Sequence, residues 1–129
     1  MYLGAIAALT LDATTGLIAS AAGTELDLKK YFVNPGKREM EAIVLPVWTA
    51  SDSGTASFDY KMQEAATTVD SDFSDVSGAA ITQVVSDAAT NAFQRIAFFS
   101  AKRYIRGYRT ISGGAWDVSA ALLTVRRDA

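Results

Sequence analysis

The stretch Met40–Ala65, MEAIVLPVWTASDSGTASFDYKMQEA, holds the two strongest strand patterns of the chain. Its first half is apolar at every position from 42 to 48, which is typical of a strand buried on both faces. Pro46 has no amide hydrogen for a ladder, so it indicates a sheet edge or a bulge. The second half alternates, with Phe58, Tyr60 and Met62 on one face and polar residues between them. This alternation predicts a half-buried antiparallel strand.

Similar runs continue along the chain, and turn signals rich in Gly, Pro, Ser and Asp separate about eight of them. No segment keeps a 3.6-residue apolar repeat over three turns, so helices are not expected. Residues 67–80 predict a polar loop. Ser112–Gly114 separates the last two predicted strands and is typical of a hairpin turn. The pattern predicts an all-β antiparallel sandwich, jelly-roll-like, as a single domain over residues 24–129.

Residues 1–23 differ from the rest of the chain, because they are rich in Ala, Thr, Ser and Gly and carry one charge, Asp12. The apolar run Tyr2–Leu11 is too short for a membrane helix and lacks the basic flank of a signal peptide. We therefore expect an extended N-terminal arm, no membrane association, and a protein that stays where it is made or is packaged there.

The composition excludes several kinds of site. The 129 residues include no Cys and no His, so there is no disulfide, no thiol nucleophile, no imidazole base and no ordinary zinc site. A carboxylate pair or a Ser–Lys arrangement stays open as catalytic chemistry. We expect a protein that is not an enzyme and that holds no metal and no cofactor.

Charge is divided unevenly along the chain. Residues 1–92 carry five Lys or Arg against twelve Asp or Glu, a net −7, whereas residues 93–129 carry seven against two, a net +5. Cross-strand pairs within the fold would mix these charges. The alternative is that the two halves attract each other between molecules or dock on a partner of mixed charge.

Smaller patterns suggest sites, each with a structural alternative. The carboxylates of DSDFSD resemble part of a calcium loop, but the Gly and distal Glu of an EF-hand are missing, which favours a self-bonded turn. Glu39 and Glu41 share a strand face and would suit a glycosidase or a solvated edge. Trp48 and Trp116 would stack on a sugar or a base, or pack in a core or interface.

The most basic stretch is SAKRYIRGYRTI, residues 100–111. As a strand it would divide its cations between two faces, with Lys102, Tyr104, Arg106 and Tyr108 on one and Arg103, Ile105, Gly107 and Arg109 on the other. Three explanations are open: a nucleic-acid surface, a subunit interface anchored by Arg and Tyr, or arginines paired with acids on adjacent strands. The acidic net charge of −2 disfavours nucleic acid.

The order of motifs resembles the small β-sandwich cement (decoration) proteins of tailed-bacteriophage capsids. The matching motifs are FDYKMQEA for F-x-Y-x-x-Q-x-A/S, the DFS of DFSD, RYIR for x-x-R-Y-x-R, a Gly-rich turn, and VSAAL for V-S-A-x-L. The resemblance spans roughly residues 24–127. Trp48 and Trp116 depart from it, because they are bulkier than the family pattern at those positions.

The resemblance implies a structural virion protein on the capsid exterior, made in the host cytoplasm, with no catalytic residues. Its implied partners are the major capsid protein and itself, as a homo-oligomer (dimer or trimer), with no nucleic acid and no membrane. We expect contact residues in the arm and in the basic strand: Tyr2, Leu3, Ile6, Leu9, Leu11, Arg103, Arg106, Tyr108 and Arg109. The alternative function is a carbohydrate- or receptor-binding module of a phage tail, which predicts an exposed aromatic platform with Trp48 or Trp116.

Overall fold

The computed structural model describes residues 5–17, 20–30, 38–51, 56–85 and 94–127. These residues form strands and two short 3-10 turns, Leu28–Lys30 and Asp70–Asp72. The strands are β1 (Ala5–Leu17), β2 (Ala21–Ala22), β3 (Leu26–Asp27), β4 (Arg38–Ser51), β5 (Ser57–Ala65), β6 (Ser74–Ala80), β7 (Val84–Val85), β8 (Gln94–Ser100), β9 (Tyr104–Ser112) and β10 (Gly114–Arg127). Across the described residues, no helix is long and apolar enough to span a membrane. The predicted all-β class is confirmed.

The strands form two antiparallel sheets. One has four strands in the order β1-β10-β4-β8, and the other has six, with β2-β9-β5-β6 as its main path, β3 beside β9 and β7 beside β5. Because β2 and β3 both pair with β9, and β6 and β7 both pair with β5, each couple acts as one interrupted strand. Counted this way, the described residues form eight strand positions, ordered 1-8-3-6 and 2-7-4-5, which is the jelly-roll arrangement.

This order describes one long antiparallel ribbon that is rolled up. The ribbon starts with β1 against β10, continues with β2 and β3 against β9 and with β4 against β8, and ends in β5 against β6. Rolling then places β10 beside β4 and β5 beside β9, and these two ladders close the sheets. The prediction of a jelly-roll-like sandwich of about eight strands therefore agrees with the fold.

The core lies between the two sheets and follows the predicted alternation of β5. Phe58, Tyr60 and Met62 are fully buried, and each such side chain contributes about 1.5–3 kcal/mol by leaving water. Phe58 packs against Trp116 of the opposite sheet, with ring centroids 5.5 Å apart, and stacks on Tyr60 at 6.1 Å. The aromatic cluster thus joins the two sheets.

Pro46 lies on β4, between β10 and β8 in the four-stranded sheet. It pairs with Val118 of β10, but the described register of β8 along β4 ends at Val44↔Gln94. The residues that would lie opposite Pro46 on that side are outside the described part of the chain.

The prediction that the turn Ser112–Gly114 joins two strands paired with each other is wrong. The turn is present, and Gly113 takes a φ of 77°, but β9 lies in the six-stranded sheet and β10 in the four-stranded one. The turn therefore carries the chain across the sandwich. A tight glycine turn leads equally to a ladder partner or to the opposite layer, and only the pairing of β10 with β1 and β4 decides between them.

Two other local predictions differ from the structure. The loop expected over residues 67–80 contains a 3-10 turn and the strand β6, because Val76 and Ala79 reach the core between polar neighbours. The segment 1–23, expected to be an arm outside the sandwich, contributes β1, an edge strand of the four-stranded sheet, and β2. The predicted boundary at residue 23 thus does not coincide with a break in the sheets.

Candidate interaction surface

The basic strand β9 runs through the middle of the six-stranded sheet and divides its side chains as predicted. Ile105, Gly107 and Ile111 are buried towards the core. Tyr104, Arg106 and Tyr108 alternate with them on the outer face of the sheet, opposite Ala65, Gln63 and Lys61 of β5. We call the outer face formed by β5, β6 and β9 the charged face.

Arg106 is the centre of the charged face, and only 7% of its side chain is exposed. Its Nε donates to Gln63 Oε1 at 2.8 Å, and its Nη1 donates to Asp70 Oδ1 at 2.6 Å. The Glu25 carboxylate lies 4.0 Å from Nη1, and the guanidinium carbon lies 4.0 Å from the centroid of the Phe73 ring. A buried guanidinium requires such partners, because an unpaired buried charge is very costly.

Arg103 and Asp27 form a second pair at one end of the same strand. Arg103 donates from Nε to Asp27 Oδ1 at 2.9 Å and from Nη2 to Oδ2 at 2.8 Å, the two-pronged geometry that suits guanidinium and carboxylate. The hydrogen bond to Asp27 raises the pKa of Arg103. The Arg103 guanidinium also lies 5.0 Å from the centroid of the Tyr104 ring.

Lys61, Gln63 and Asp75 form a third group, between β5 and the edge strand β6. Asp75 accepts from Lys61 Nζ at 2.9 Å and from Gln63 Nε2 at 3.0 Å. The hydrogen bonds from Gln63 and then Lys61 lower the pKa of Asp75 below its ordinary value of 3.8. Lys61 Nζ also lies 5.6 Å from the centroid of the Tyr108 ring.

The cations of the charged face thus meet acids of the N-terminal, negatively charged part of the chain. Arg103 and Arg106, from the positive part, bind Asp27, Asp70 and Glu25. Arg95 on β8 lies 3.5 Å from Glu41 on β4. Cross-strand pairing, one of the alternatives left open by the charge pattern, therefore mixes the two halves within one molecule.

The nine predicted contact residues differ in where the structure places them. Tyr2 and Leu3 lie outside the described residues, and Ile6 and Leu9 are placed on β1 by their backbone. Leu11 and Arg106 are buried within the domain itself, so neither is presented to an outside partner in this conformation. Arg103 is exposed while bound to Asp27, and Tyr108 and Arg109 are half-buried on the six-stranded sheet. Their role as contact residues stays a prediction.

The three carboxylates of DSDFSD each bind a different side chain of the same molecule. Asp70 binds Arg106, Asp72 accepts from the Thr67 hydroxyl at 2.5 Å, and Asp75 binds Lys61 and Gln63. In the described ranges, no group of three or more acidic side chains is arranged to hold a metal ion. The loop uses its acids to fasten itself to the sheet and to its own Thr67 side chain.

The two remaining candidate sites are placed as follows. Trp116 is fully buried beside Phe58, so it is not available as a platform for a sugar, while Trp48 pairs opposite it through the backbone. Glu39 and Glu41 pair with Phe99 and Ala97 of β8, and Glu41 faces Arg95. Glu41 therefore belongs to a cross-strand ion pair.

The outer face of the four-stranded sheet carries apolar residues that the sequence pattern assigned to a fully buried strand. Ile43 and Leu45 of β4 are only half-buried, and Ala97 and Phe99 of β8 are exposed, Phe99 by 45%. The prediction of a strand buried on both faces is wrong for residues 42–46, because Ala42, Val44 and Pro46 are buried while Ile43 and Leu45 lie half-buried on the outer face. Such a surface suits contact with another protein.

No protein-family model matches this sequence, and no curated protein matches it.

Proposed function

We propose that this protein is a structural virion protein, not an enzyme, that binds the outer surface of a bacteriophage capsid and cements neighbouring capsid subunits. Its partners in this proposal are the major capsid protein and further copies of itself. The location that follows is the exterior of the virion, reached after synthesis in the host cytoplasm.

One observation carries the proposal: three motifs that resemble those of capsid cement proteins converge on Arg106. Gln63 comes from FDYKMQEA, Phe73 from DFSD and Arg106 from RYIR, and Arg106 touches the other two. The motifs lie on separate strands and loops, yet their polar and aromatic residues form one cluster. Motifs whose residues touch each other in the structure support a fold shared with the cement proteins more strongly than motifs that lie apart.

The sandwich has properties that suit cementing. Its charged face is fastened by internal pairs, and the four-stranded sheet presents a mixed apolar face with Ile43, Leu45 and Phe99. A rigid module that binds the assembled shell and not the separated subunits stabilises the shell by mass action, about 2.7 kcal/mol per site at a free concentration of 100 times Kd. Oligomers would add avidity when two sites are spanned at once.

The test is the composition of purified virions. We expect the protein in the particle by mass spectrometry, in many copies, and as density on the outside of the shell by electron cryomicroscopy. Shells that lack the protein should lose heat resistance and regain it when the purified protein is added. Absence from the virion, or presence only in the tail, would overturn the proposal.

A further inference from the structure

The strand β1 is an edge strand of the four-stranded sheet. In the described part of the chain, its one strand partner is β10. It is 13 residues long, and its sequence AIAALTLDATTGL has one charge, Asp12, with no Lys, Arg or Pro. Edge strands usually carry such charged or Pro residues, because an open row of amide and carbonyl groups is a template for another strand.

Among the described residues, the other sheet edges are partly covered, irregular or short. On the far side of the sandwich, Gln94 of β8 donates to the Thr82 carbonyl and accepts from the Thr82 amide, both at 2.9 Å, which joins β8 to the chain between β6 and β7. The edge strand β6 is interrupted by a register shift and by Gly78 with a φ of 73°. The strands β2 and β3 have two residues each.

Within β1, the N-terminal half is better suited to pair with an added strand. At Leu11 the carbonyl already accepts from the Thr24 amide at 2.9 Å, and Asp12 follows at once. Ala5–Thr10 precede this point, and these six residues carry no charge, although their ladder with β10 contains one register shift, between Ile6 and Leu9. Short uncharged strand segments without Pro are the ones that pair most readily with an added strand.

We infer that two copies of this protein associate by antiparallel pairing of Ala5–Thr10 with the same segment of the second copy. A two-fold pairing of this kind closes on itself, because each copy covers the β1 edge of the other. Because the segment is neutral, two copies of it pair without like-charge repulsion. It also offers no charge by which a different partner would be selected. The four-stranded sheets would continue into each other across the axis.

This inference specifies the homo-oligomer of the proposed function, but it does not depend on capsid binding. The two are distinguishable, since self-association is measured on the purified protein alone. A monomer found on virions would refute this inference and leave the proposed function standing, and a dimer absent from virions would do the reverse.

The chain has no cysteine, so a single-cysteine scan of the purified full chain reads the pairing directly. Each of the positions 5–10 is changed to Cys in turn and oxidised, with Ser77→Cys, exposed on the edge strand β6, as the matched control. We expect disulfide-linked dimers that peak at one position and fall off on both sides, because only the residue at the axis meets its own copy. Ser77→Cys should stay unlinked.

Light scattering supplies the second measurement. We expect a molar mass near twice 13.7 kDa that falls to 13.7 kDa on dilution. Ala7→Lys and Ala8→Lys each place a charge within the segment, and the variant that keeps the wild-type circular dichroism and Tm should dimerise at least tenfold more weakly. A monomer at every concentration up to about 1 mM, or cross-links at position 77 but none at positions 5–10, would overturn the inference.

Discussion

Arg106 holds together segments that are far apart in the chain. It binds Gln63 on β5, Asp70 in the 3-10 turn and Glu25 near β3, and it packs on Phe73. Asp70 is 88% exposed while Arg106 is 7% exposed, so the carboxylate reaches from solvent to a guanidinium that is set into the sheet. The loop before β6 is fastened by this one side chain.

We predict that Arg106→Ala lowers the free energy of unfolding by about 2–3 kcal/mol, because it removes charge-assisted hydrogen bonds and the packing on Phe73. Arg106→Lys should recover less than half of this loss, since an ammonium lacks the planar fork. The matched control is Arg95→Ala, whose side chain is 61% exposed and should cost less than about 0.5 kcal/mol. Equal losses at both positions, in urea unfolding, would contradict the assignment.

Gly107 makes room for the Tyr60 ring. A β-carbon built at Gly107 would overlap the ring and hydroxyl of Tyr60, and both residues lie in the interior of the sandwich. We predict that Gly107→Ala costs about 3 kcal/mol by overpacking. In a Tyr60→Ala background the same change should cost less than about 1 kcal/mol, because the obstacle is gone. A thermodynamic cycle of the four proteins measures the difference, and an additive cycle would show that the contact is not the cause.

At the scale of elements, β1 is part of the sandwich and not an appendage. Its ladder with β10 runs from Ala5↔Val125 to Leu17↔Trp116, and Leu11 is fully buried in the core. The register shifts around Leu11 allow the strand to turn this residue inward while Thr10 and Asp12 stay paired with β10.

We predict that Leu11→Ala costs about 2–5 kcal/mol, the range for a buried leucine that leaves a cavity. Deletion of residues 1–17 should cost more, because it also exposes the edge of β10. The control is Val69→Ala, at an apolar residue that is 56% exposed, where we expect a change within about 0.5 kcal/mol. If Leu11→Ala unfolds at the same denaturant concentration as wild type, β1 does not contribute to the core.

At the scale of the whole molecule, internal pairing changes the meaning of the basic strand. The net charge is −2, and the cations Lys61, Arg103 and Arg106 are bound to acids of the same chain. Phosphate binding would have to displace these partners, and the overall charge gives no long-range attraction to a polyanion.

We predict no retention of double- or single-stranded DNA by this protein at 150 mM salt in an electrophoretic shift assay up to micromolar protein. At 50 mM salt any binding should remain weaker than micromolar, because the net charge is negative and Lys61, Arg103 and Arg106 are already paired with acids. A tight complex with a steep salt dependence would contradict internal pairing as the role of the strand.

The local pattern predicted the class of fold and the faces of several strands. Phe58, Tyr60 and Met62 face the core as the alternation of β5 indicated, and Ile105 and Gly107 share the inner face of β9. The partners of each arginine were not predictable in the same way. Arg106 finds Gln63 and Asp70 only because β9 lies beside β5 and the loop folds over both.

Regular alternation in the sequence is enough to place the residues of β5 and β9 on one side of the sheet or the other, because the two-residue period of a strand is local. Which strands are neighbours depends on the assembled sandwich. The turn Ser112–Gly114 suits a hairpin, yet β10 pairs with β1 and β4, which are distant in the chain. The reason is physical: ladder partners gain their free energy from the packing of whole sheets, and no short segment contains the information about the layer that it will cover.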